Sequence, residues 1–159
     1  MSDDDVRMVD CARAQRKRAE TRRWTVTSAE LGHAEQLDSL RANSSRILSK
    51  IAAKLRHYRR QDERKGRGSS GGGKAMDVAG VARMLLDCDM TCVFCGRPVV
   101  LLYEHAREPT QWTLDRVDND RGHDADNVEI ACLACNLGRR RIGHAEFQFS
   151  KNLVVEKLE

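Results

Sequence analysis

Aromatic side chains are scarce in this sequence: three Phe, two Tyr and two Trp make up 4% of its 159 residues. Charged residues, by contrast, make up 33%. Aromatic residues supply much of the buried area of a protein core, so this composition argues against a large self-sufficient core. Small domains of this kind usually gain the missing stability from a bound metal or from disulfides.

Long apolar runs and a secretory leader are also missing. No segment approaches the roughly 20 apolar residues that cross a bilayer, and the first residues, MSDDDVRMVD, lack the apolar centre of a signal peptide. The six cysteines are therefore expected as thiols or metal ligands rather than as disulfides. These absences predict a soluble intracellular protein of the cytoplasm or nucleus, with no membrane partner.

The net charge of +4 conceals an uneven distribution. Residues 1–74 carry 18 Lys and Arg against 10 Asp and Glu, a net charge of +8, whereas residues 75–159 carry 10 against 14, a net charge of −4. A basic segment is typical of proteins that bind a polyanion, and an acidic one can surround a cation or a reaction centre. The alternative interpretation is an ordinary solvated surface.

Residues 2–23 form the first predicted helix, because aspartates begin it and basic residues end it, which suits the helix dipole. The basic side chains near its end are candidates for contact with DNA phosphates: Arg16, Lys17, Arg18, Arg22 and Arg23. A merely solvated helix is one alternative, and docking of a protein partner on the N-terminal helices is another.

A second predicted helix begins at the capping-box sequence Thr27-Ser-Ala-Glu30 and continues through an amphipathic stretch to Tyr58. The Gly- and Ser-rich residues 66–74 then predict a flexible linker between a basic helical segment, residues 1–65, and a second domain, residues 75–159. The linker contains G-x-x-x-x-G-K, but Ala75 stands where a magnesium-binding Ser or Thr is needed. No strand is predicted before it either, so no nucleotide cofactor is expected.

After the linker, apolar residues at helical spacing predict a short helix from Met76 to Asp89, and the apolar residues 98–103 predict a strand. Two C-x-x-C pairs, Cys92 with Cys95 and Cys132 with Cys135, are separated by 36 residues. Four thiolates bind one zinc ion tetrahedrally and leave no open position, so the zinc predicted here is structural. Two redox-active dithiols are the alternative.

Polar residues between the two cysteine pairs follow a specific pattern. The run L-D-R-V-D-N, then G-H, then D-N-V-E-I-A-C-L-A-C-N resembles the HNH, or His-Me finger, endonucleases, in particular the zinc-stapled type of phages, viruses and mobile elements. The resemblance covers about residues 83–141 and leaves out the basic N-terminal half. It implies an α+β fold, with a small ββα-metal domain and a four-Cys zinc knuckle, here preceded by a basic helical segment.

The resemblance also implies a metal-dependent endonuclease that hydrolyses phosphodiester bonds of duplex or branched DNA. Asp115 and Asn136 fall on the two positions that bind a catalytic Mg²⁺ or Mn²⁺, and Asn127 falls on the Asn that ties the connecting loop. Oxygen ligands suit a hard cation that also bridges to a substrate phosphate. The helix after the second cysteine pair is expected to present phosphate-binding residues in its first turns: Arg139, Arg140 and Arg141.

One position departs from the family pattern. Arg116 stands where the general-base histidine follows the aspartate, and a guanidinium stays protonated, so it cannot accept a proton from water. His123 in the turn is the favoured replacement, because an imidazole titrates near neutral pH. Asp118 could instead orient the water. The remaining alternative is a zinc-finger DNA-binding or regulatory protein that has kept the scaffold and does not cut.

Overall fold

The computed structural model describes Glu30, residues 32–67 and residues 73–153. In chain order, the elements formed by these residues are α1 (His33–Arg41), α2 (Ser45–Arg64), α3 (Val78–Asp87), β1 (Trp112–Arg116), β2 (Val128–Cys132), α4 (Leu133–Arg139) and α5 (His144–Asn152). The mixture of helices with a small two-stranded sheet is consistent with the predicted α+β class. The basic helix predicted over residues 2–23, with its candidate phosphate contacts, lies outside the described residues.

No helix in the described part of the chain combines the length and the apolar character needed to cross a membrane.

The long helix predicted to end at Tyr58 is divided into α1 and α2. Asn43 has a positive φ of 52°, the left-handed conformation that commonly ends a helix and that Asn adopts more readily than most residues. Ser44 follows as the N-cap of α2, with a φ of −51° and a ψ of 125°. The amphipathic pattern continues across this break, which is why periodicity alone predicted a single helix.

One hydrophobic core joins α1 and α2 to the cysteine-containing half. Ile47, Ile51 and Leu55 recur every four residues on α2 and are buried. They belong to the same cluster of buried apolar side chains as Leu85 of α3 and Trp112 of β1. The predicted linker therefore connects two stretches of the chain that pack together.

Residues 98–103, predicted as a strand, do not form one and make only isolated bridges. The buried side chain of Gln36 on α1 replaces a strand neighbour. Its Oε1 accepts hydrogen bonds from the backbone N–H groups of Leu101 and Leu102 at 2.7 and 2.9 Å, and its Nε2 donates to the Leu102 carbonyl at 3.1 Å. These bonds satisfy buried backbone groups that a strand would otherwise pair.

The antiparallel strands β1 and β2 form a small sheet with two different faces. Asp115 lies opposite Glu129, and Thr113 lies opposite Ala131, so these four side chains project from one face. The residues between them project from the other face and are mostly buried. α4 follows β2 directly and covers the first face, where it makes hydrogen bonds to Thr113 and Asp115.

Candidate functional site

The thiol sulfurs of Cys92, Cys95, Cys132 and Cys135 lie within 4.8 Å of one another. The Sγ atoms of Cys95 and Cys132 are 3.9 Å apart, close to the edge of about 3.8 Å in a tetrahedron of sulfurs around zinc. All four thiols meet in one cluster rather than in two separate dithiols. Cys88, in contrast, places its Sγ 3.6 Å from a helix carbonyl. The four clustered cysteines could therefore hold one metal ion such as zinc.

Local backbone structure turns these thiols toward one another. Gly96 follows the first cysteine pair with a positive φ of 64°, a conformation that favours glycine, and it donates its N–H to the Cys92 carbonyl at 2.9 Å. In the second pair, Cys132 is the N-cap of α4, and its Sγ accepts a hydrogen bond from the Cys135 N–H at 3.4 Å. Each of these turns therefore places two residues between its cysteines.

The clustered cysteine thiols differ in pKa. A hydrogen bond from Cys132 lowers the pKa of Cys92 to about 4, whereas burial raises the pKa of Cys135 to about 11. Zinc binds thiolates, so a cation is needed to keep all four sulfurs ionised at neutral pH. The guanidinium of Arg97, whose pKa is raised by its hydrogen bond with Cys95, places a further positive charge beside the cluster.

Asp115, the first predicted ligand of a catalytic metal, is bound by Arg139. The Arg139 Nε donates to Asp115 Oδ2 at 2.7 Å, and its Nη2 donates to Oδ1 at 3.0 Å. The same guanidinium also donates to the carbonyls of Ile142 and Arg116 and to Oδ1 of Asn119. The side chains of Asp115 and Arg139 are only 4% and 1% exposed. A bidentate pair is the strong geometry between a guanidinium and a carboxylate.

Arg139 therefore does not reach the surface, contrary to its expected contact with a DNA phosphate. Asn136 and Arg139 lie three residues apart, on the side of α4 that faces the sheet. The helix ends at Arg139, and Arg140 is its C-cap with a positive φ of 52°. Arg140 and Arg141 are exposed, but they lie beyond the helix rather than in its first turns.

A buried guanidinium lies at the predicted position of a catalytic metal. Both carboxylate oxygens of Asp115 accept hydrogen bonds from Arg139, so a cation bound there would lie close to a buried guanidinium of like charge. Asn136, the second predicted ligand, donates from Nδ2 to Thr113 Oγ1 at 3.0 Å. Burial raises the pKa of Asp115, and its hydrogen bond with Arg139 opposes that shift. Both predicted ligands instead hold α4 against β1.

His123, the predicted general base, is held by α2. Its backbone N–H donates to Asp62 Oδ2 at 2.9 Å, and its Nδ1 lies 3.0 and 2.9 Å from the two Asp62 oxygens. The imidazole also packs on the Tyr58 ring, with centroids 4.4 Å apart. Among the described residues, no hydrogen bond or ion pair joins His123 to Asp115 or Asn136. Asp62 lies outside the family resemblance, and no local motif marks it as a partner of a histidine.

The loop between the strands is organised by Asn127. Its Nδ2 donates to the carbonyls of Asp118 and Gly122 at 3.0 and 2.9 Å, and its Oδ1 accepts from the Asp118 N–H at 2.9 Å. Asp118 itself turns its carboxylate to the Asp120 N–H at 2.9 Å. Arg116 donates from Nη1 to a carbonyl of the same loop, that of Arg121, at 3.1 Å. These contacts hold the loop in place, which is the role that the HNH resemblance implies for Asn127.

His144 lies near Asp115, although its place in the sequence predicts a surface or local hydrogen-bonding residue. It begins α5, and its Nε2 lies 2.7 Å from Oε2 of Glu129, the residue opposite Asp115. The angles of this contact make no hydrogen bond, and neither atom has a hydrogen-bond partner among the described residues. The His144 ring also packs on Phe94, with centroids 4.9 Å apart. His144 reaches this face because α4 ends at Arg139 and α5 begins at His144. Sequence spacing does not predict where α4 ends.

Comparison with known proteins adds no relative: no family model, curated protein or solved structure matches this chain.

Proposed function

We propose that the chain is a zinc-stabilised nucleic-acid-binding protein in which Asp115 has a structural role and does not bind a catalytic metal. The observation that carries this proposal is the buried bidentate pair between Asp115 and Arg139. A divalent cation at Asp115 would meet a guanidinium at short range, and like charges repel strongly in a buried setting. Removing one partner of a buried ion pair lowers the free energy of unfolding by about 3–5 kcal/mol.

Exposed arginines support nucleic acid as the ligand. Arg56, Arg60 and Arg64 recur every four residues along α2 and are all exposed, so they lie along one side of the helix over about 12 Å. Arg140 and Arg141 add exposed positive charge after α4. Each phosphate that such a residue neutralises releases counterions, which gives an affinity that depends on salt but not on base sequence.

The first experiment measures binding and cleavage together. Supercoiled, linear and branched DNA are incubated with the zinc-loaded protein in Mg²⁺ or Mn²⁺, and binding is measured by fluorescence anisotropy between 50 and 200 mM salt, the range in which phosphate contacts are strongly screened. We expect salt-sensitive binding without nicking. Arg56→Gln with Arg60→Gln should weaken binding to every DNA and lower the salt slope by about two.

Two controls make this experiment decisive. Arg83→Gln removes an exposed arginine from α3 and should leave binding nearly unchanged. Nicking that is lost in Asp115→Asn and Asn136→Ala while the zinc content stays at one per chain would refute the proposal. It would instead establish the metal-dependent endonuclease that the HNH resemblance implies.

Endonuclease activity is the second candidate, and the contact between His144 and Glu129 favours it. His144 lies on the side of the sheet that carries Asp115. Burial raises the pKa of the Asp115 carboxyl, and the nearby His144 is one of the groups that oppose this rise. A histidine beside a carboxylate is a general-base arrangement. If the protein nicks DNA, His144→Ala should abolish the activity, whereas His105→Ala, an exposed histidine elsewhere, should not.

A further inference from the structure

A cavity of about 290 Å³ lies between α2 and the part of the chain that leads to β1. This volume is near the lower end of the range of small-ligand sites, about 300–1,000 Å³. One wall is the side of α2 that carries Ala53 and His57, and another wall contains Tyr103. The cavity is separate from the cysteine cluster and from the Asp115–Arg139 pair, because none of those residues lines it.

Apolar and basic residues make up most of the lining of this cavity. Of the described residues that line it, Lys50, Lys54 and His57 are basic, and none is Asp or Glu. The helix around it has the same character, because residues 45–61 of α2 include six Lys and Arg and no acidic residue. Such a site attracts a ligand that carries negative charge, and its apolar walls suit a ligand with an apolar ring.

Hydrogen bonds of Lys54 fix two walls of the cavity relative to each other. Its Nζ donates to Oε1 of Gln111 at 2.9 Å and to the carbonyl of Trp112, and it lies 4.8 Å from the centre of the Trp112 ring. Trp112 is 1% exposed and also lines the cavity. These contacts join α2 to β1, so the cavity is formed before a ligand arrives, which lowers the free-energy cost of binding.

Tyr103 gives the cavity an aromatic ring with a polar tip. The residue is half-buried, and the Nζ of Lys54 lies 5.7 Å from the centre of its ring. Burial raises the pKa of Tyr103, and no hydrogen bond of its hydroxyl contributes to that rise. The hydroxyl therefore stays protonated at neutral pH and can donate to a ligand or accept from it. A planar heterocycle with polar atoms at its edge matches such a wall.

A basic stripe on α2 leads away from this cavity. Basic residues and one alanine recur there at alternating intervals of three and four residues, and so lie along one side of the helix, in the order Lys50, Ala53, His57, Arg60 and Arg64. The stripe is about 21 Å long, and its last three members are exposed. It can therefore follow the phosphates of a strand while the cavity takes a group attached to the same strand.

We infer that this cavity binds one unpaired base of a single-stranded nucleic acid whose phosphates follow the basic stripe of α2. This binding mode rests on the proposed function and narrows its ligand from nucleic acid in general to strands with unpaired bases. Aromatic side chains for the bases, together with a basic track for the backbone, are how proteins bind single strands without reading their sequence. In a duplex the bases are paired and stacked, so a base would have to be extruded at an energetic cost before it could enter.

Two single strands of equal charge test this binding mode. An oligothymidylate and a strand of the same length made of abasic residues are each titrated with the zinc-loaded full chain at constant ionic strength, and binding is followed by fluorescence anisotropy. Both strands offer the same phosphates to the basic stripe, but only the first offers bases to the cavity. We expect the oligothymidylate to bind about tenfold more tightly, the effect of stacking one base on an aromatic side chain.

The substitution Ala53→Met isolates the contribution of the cavity. Ala53 is exposed on α2 and lines the cavity, so a longer side chain there occupies the entrance without removing a charge or a buried contact. This variant should lose the preference for oligothymidylate, while its binding to the abasic strand and to a duplex of the same length stays unchanged. Ala34→Met, the same change at an exposed position of α1 outside the cavity, should keep the preference.

Two further variants separate the aromatic ring from the basic stripe. Tyr103→Leu removes the ring and should remove most of the preference for oligothymidylate. Arg60→Gln removes one exposed charge of the stripe, so it should weaken both strands equally and lower the salt slope by about 0.7, the value for one phosphate contact on a single strand. Zinc content and circular dichroism show whether each variant is folded, and Ala53→Met stays decisive if Tyr103→Leu is not.

The remaining outcomes overturn either base binding or the proposed function. Equal binding of the two strands to the wild type, or a preference that persists in Ala53→Met, refutes base binding in this cavity and leaves the proposed function standing. A preference that is lost in both Ala53→Met and Ala34→Met refutes it as well, because the effect then does not belong to the cavity. Absence of salt-sensitive binding to both single strands and to the duplex would instead refute the proposed nucleic-acid function itself.

Discussion

At Gly122 the connection between β1 and β2 lies close to the C-terminal end of α2 and the residues that follow it. A Cβ atom at this position would lie 2.6 Å from the backbone oxygen of Arg67 and 3.3 Å from Oδ2 of Asp62. A backbone atom cannot move aside as the tip of a flexible side chain can, so the substitution Gly122→Ala forces the loop and the helix end apart. It should lower the free energy of unfolding by about 1–3 kcal/mol, measured by urea denaturation.

Gly138→Ala is the matched control for that experiment. Gly138 lies within α4, and its added Cβ would meet only Phe147 at an ordinary distance of 3.9 Å. Alanine favours a helix over glycine by about 1 kcal/mol, so this variant should be neutral or slightly more stable. Equal effects of the two alanines would contradict the close packing of Gly122.

The Asp115–Arg139 pair gives a second prediction at the scale of single residues. Arg139→Met leaves a buried carboxylate without its partner and should lower the free energy of unfolding by about 3–5 kcal/mol. Asp115→Leu combined with Arg139→Met removes both charges and should recover much of that loss, because an apolar pair of similar size carries no desolvation cost. A loss below about 1 kcal/mol in Arg139→Met, similar to that in the exposed Arg140→Met, would contradict the structural role of the pair.

Lys54 connects two elements, α2 and the start of β1. Its Nζ donates to Oε1 of Gln111 at 2.9 Å and to the carbonyl of Trp112, and lies 4.8 Å from the centre of the Trp112 ring. Burial lowers its pKa from 10.5 to about 7. Between pH 7 and 10.5 the unfolded chain therefore binds more protons at Lys54 than the folded chain does. The free energy of unfolding should rise with pH across this window, by a few kcal/mol at most.

Lys54→Met tests the contribution of this one group. Cysteine and tyrosine side chains titrate in the same range, so the informative quantity is the difference in slope between the wild type and the variant. Lys50→Met, one turn earlier on α2, controls for the loss of a positive charge. Identical slopes for the wild type and Lys54→Met between pH 7 and 10.5 would show that Lys54 keeps an ordinary pKa.

Elements with a strong local signal were predictable from the sequence. α3 follows from apolar residues such as Val81 and Leu85 at helical spacing, and the cysteine cluster follows from the two C-x-x-C pairs. The division between α1 and α2 at Asn43 was not predictable, because the apolar stripe continues across it. Residues 98–103 have the composition of a strand, but the side chain of the buried Gln36 bonds the backbone N–H groups of Leu101 and Leu102.

The candidate site was only partly predictable for a similar reason. The resemblance to HNH endonucleases points to Asp115 and Asn136, but the sequence gives no sign that Arg139 turns inward and donates to the Asp115 carboxylate. The contact between His123 and Asp62 joins residues that are 61 positions apart. Long-range pairs of this kind depend on how α2 packs against the hairpin formed by β1 and β2. A local sequence pattern does not predict that packing.

At the scale of the whole molecule, Trp112 and Phe94 place buried aromatic rings beside the cysteine cluster. Trp112 is 1% exposed, and Phe94, between the first two cysteines, packs edge to face on Phe147 of α5 with centroids 4.9 Å apart. One continuous core connects these residues to Ile51 of α2. We expect a small core of this kind to depend for much of its stability on a metal bound by the four cysteines.

Removal of zinc should therefore unfold the N-terminal helices together with the cysteine-containing half. Structural zinc contributes about 10–16 kcal/mol in zinc-finger peptides, which equals or exceeds the total stability of a typical domain, about 5–15 kcal/mol. A chelator should release one zinc per chain and remove most of the helical circular dichroism in a single transition. Cys135→Ser should behave like the chelated protein, and Cys88→Ser, outside the cluster, like the wild type. Two transitions, with the helical signal of α1 and α2 surviving zinc release, would instead support the separate domains that the Gly- and Ser-rich linker predicts.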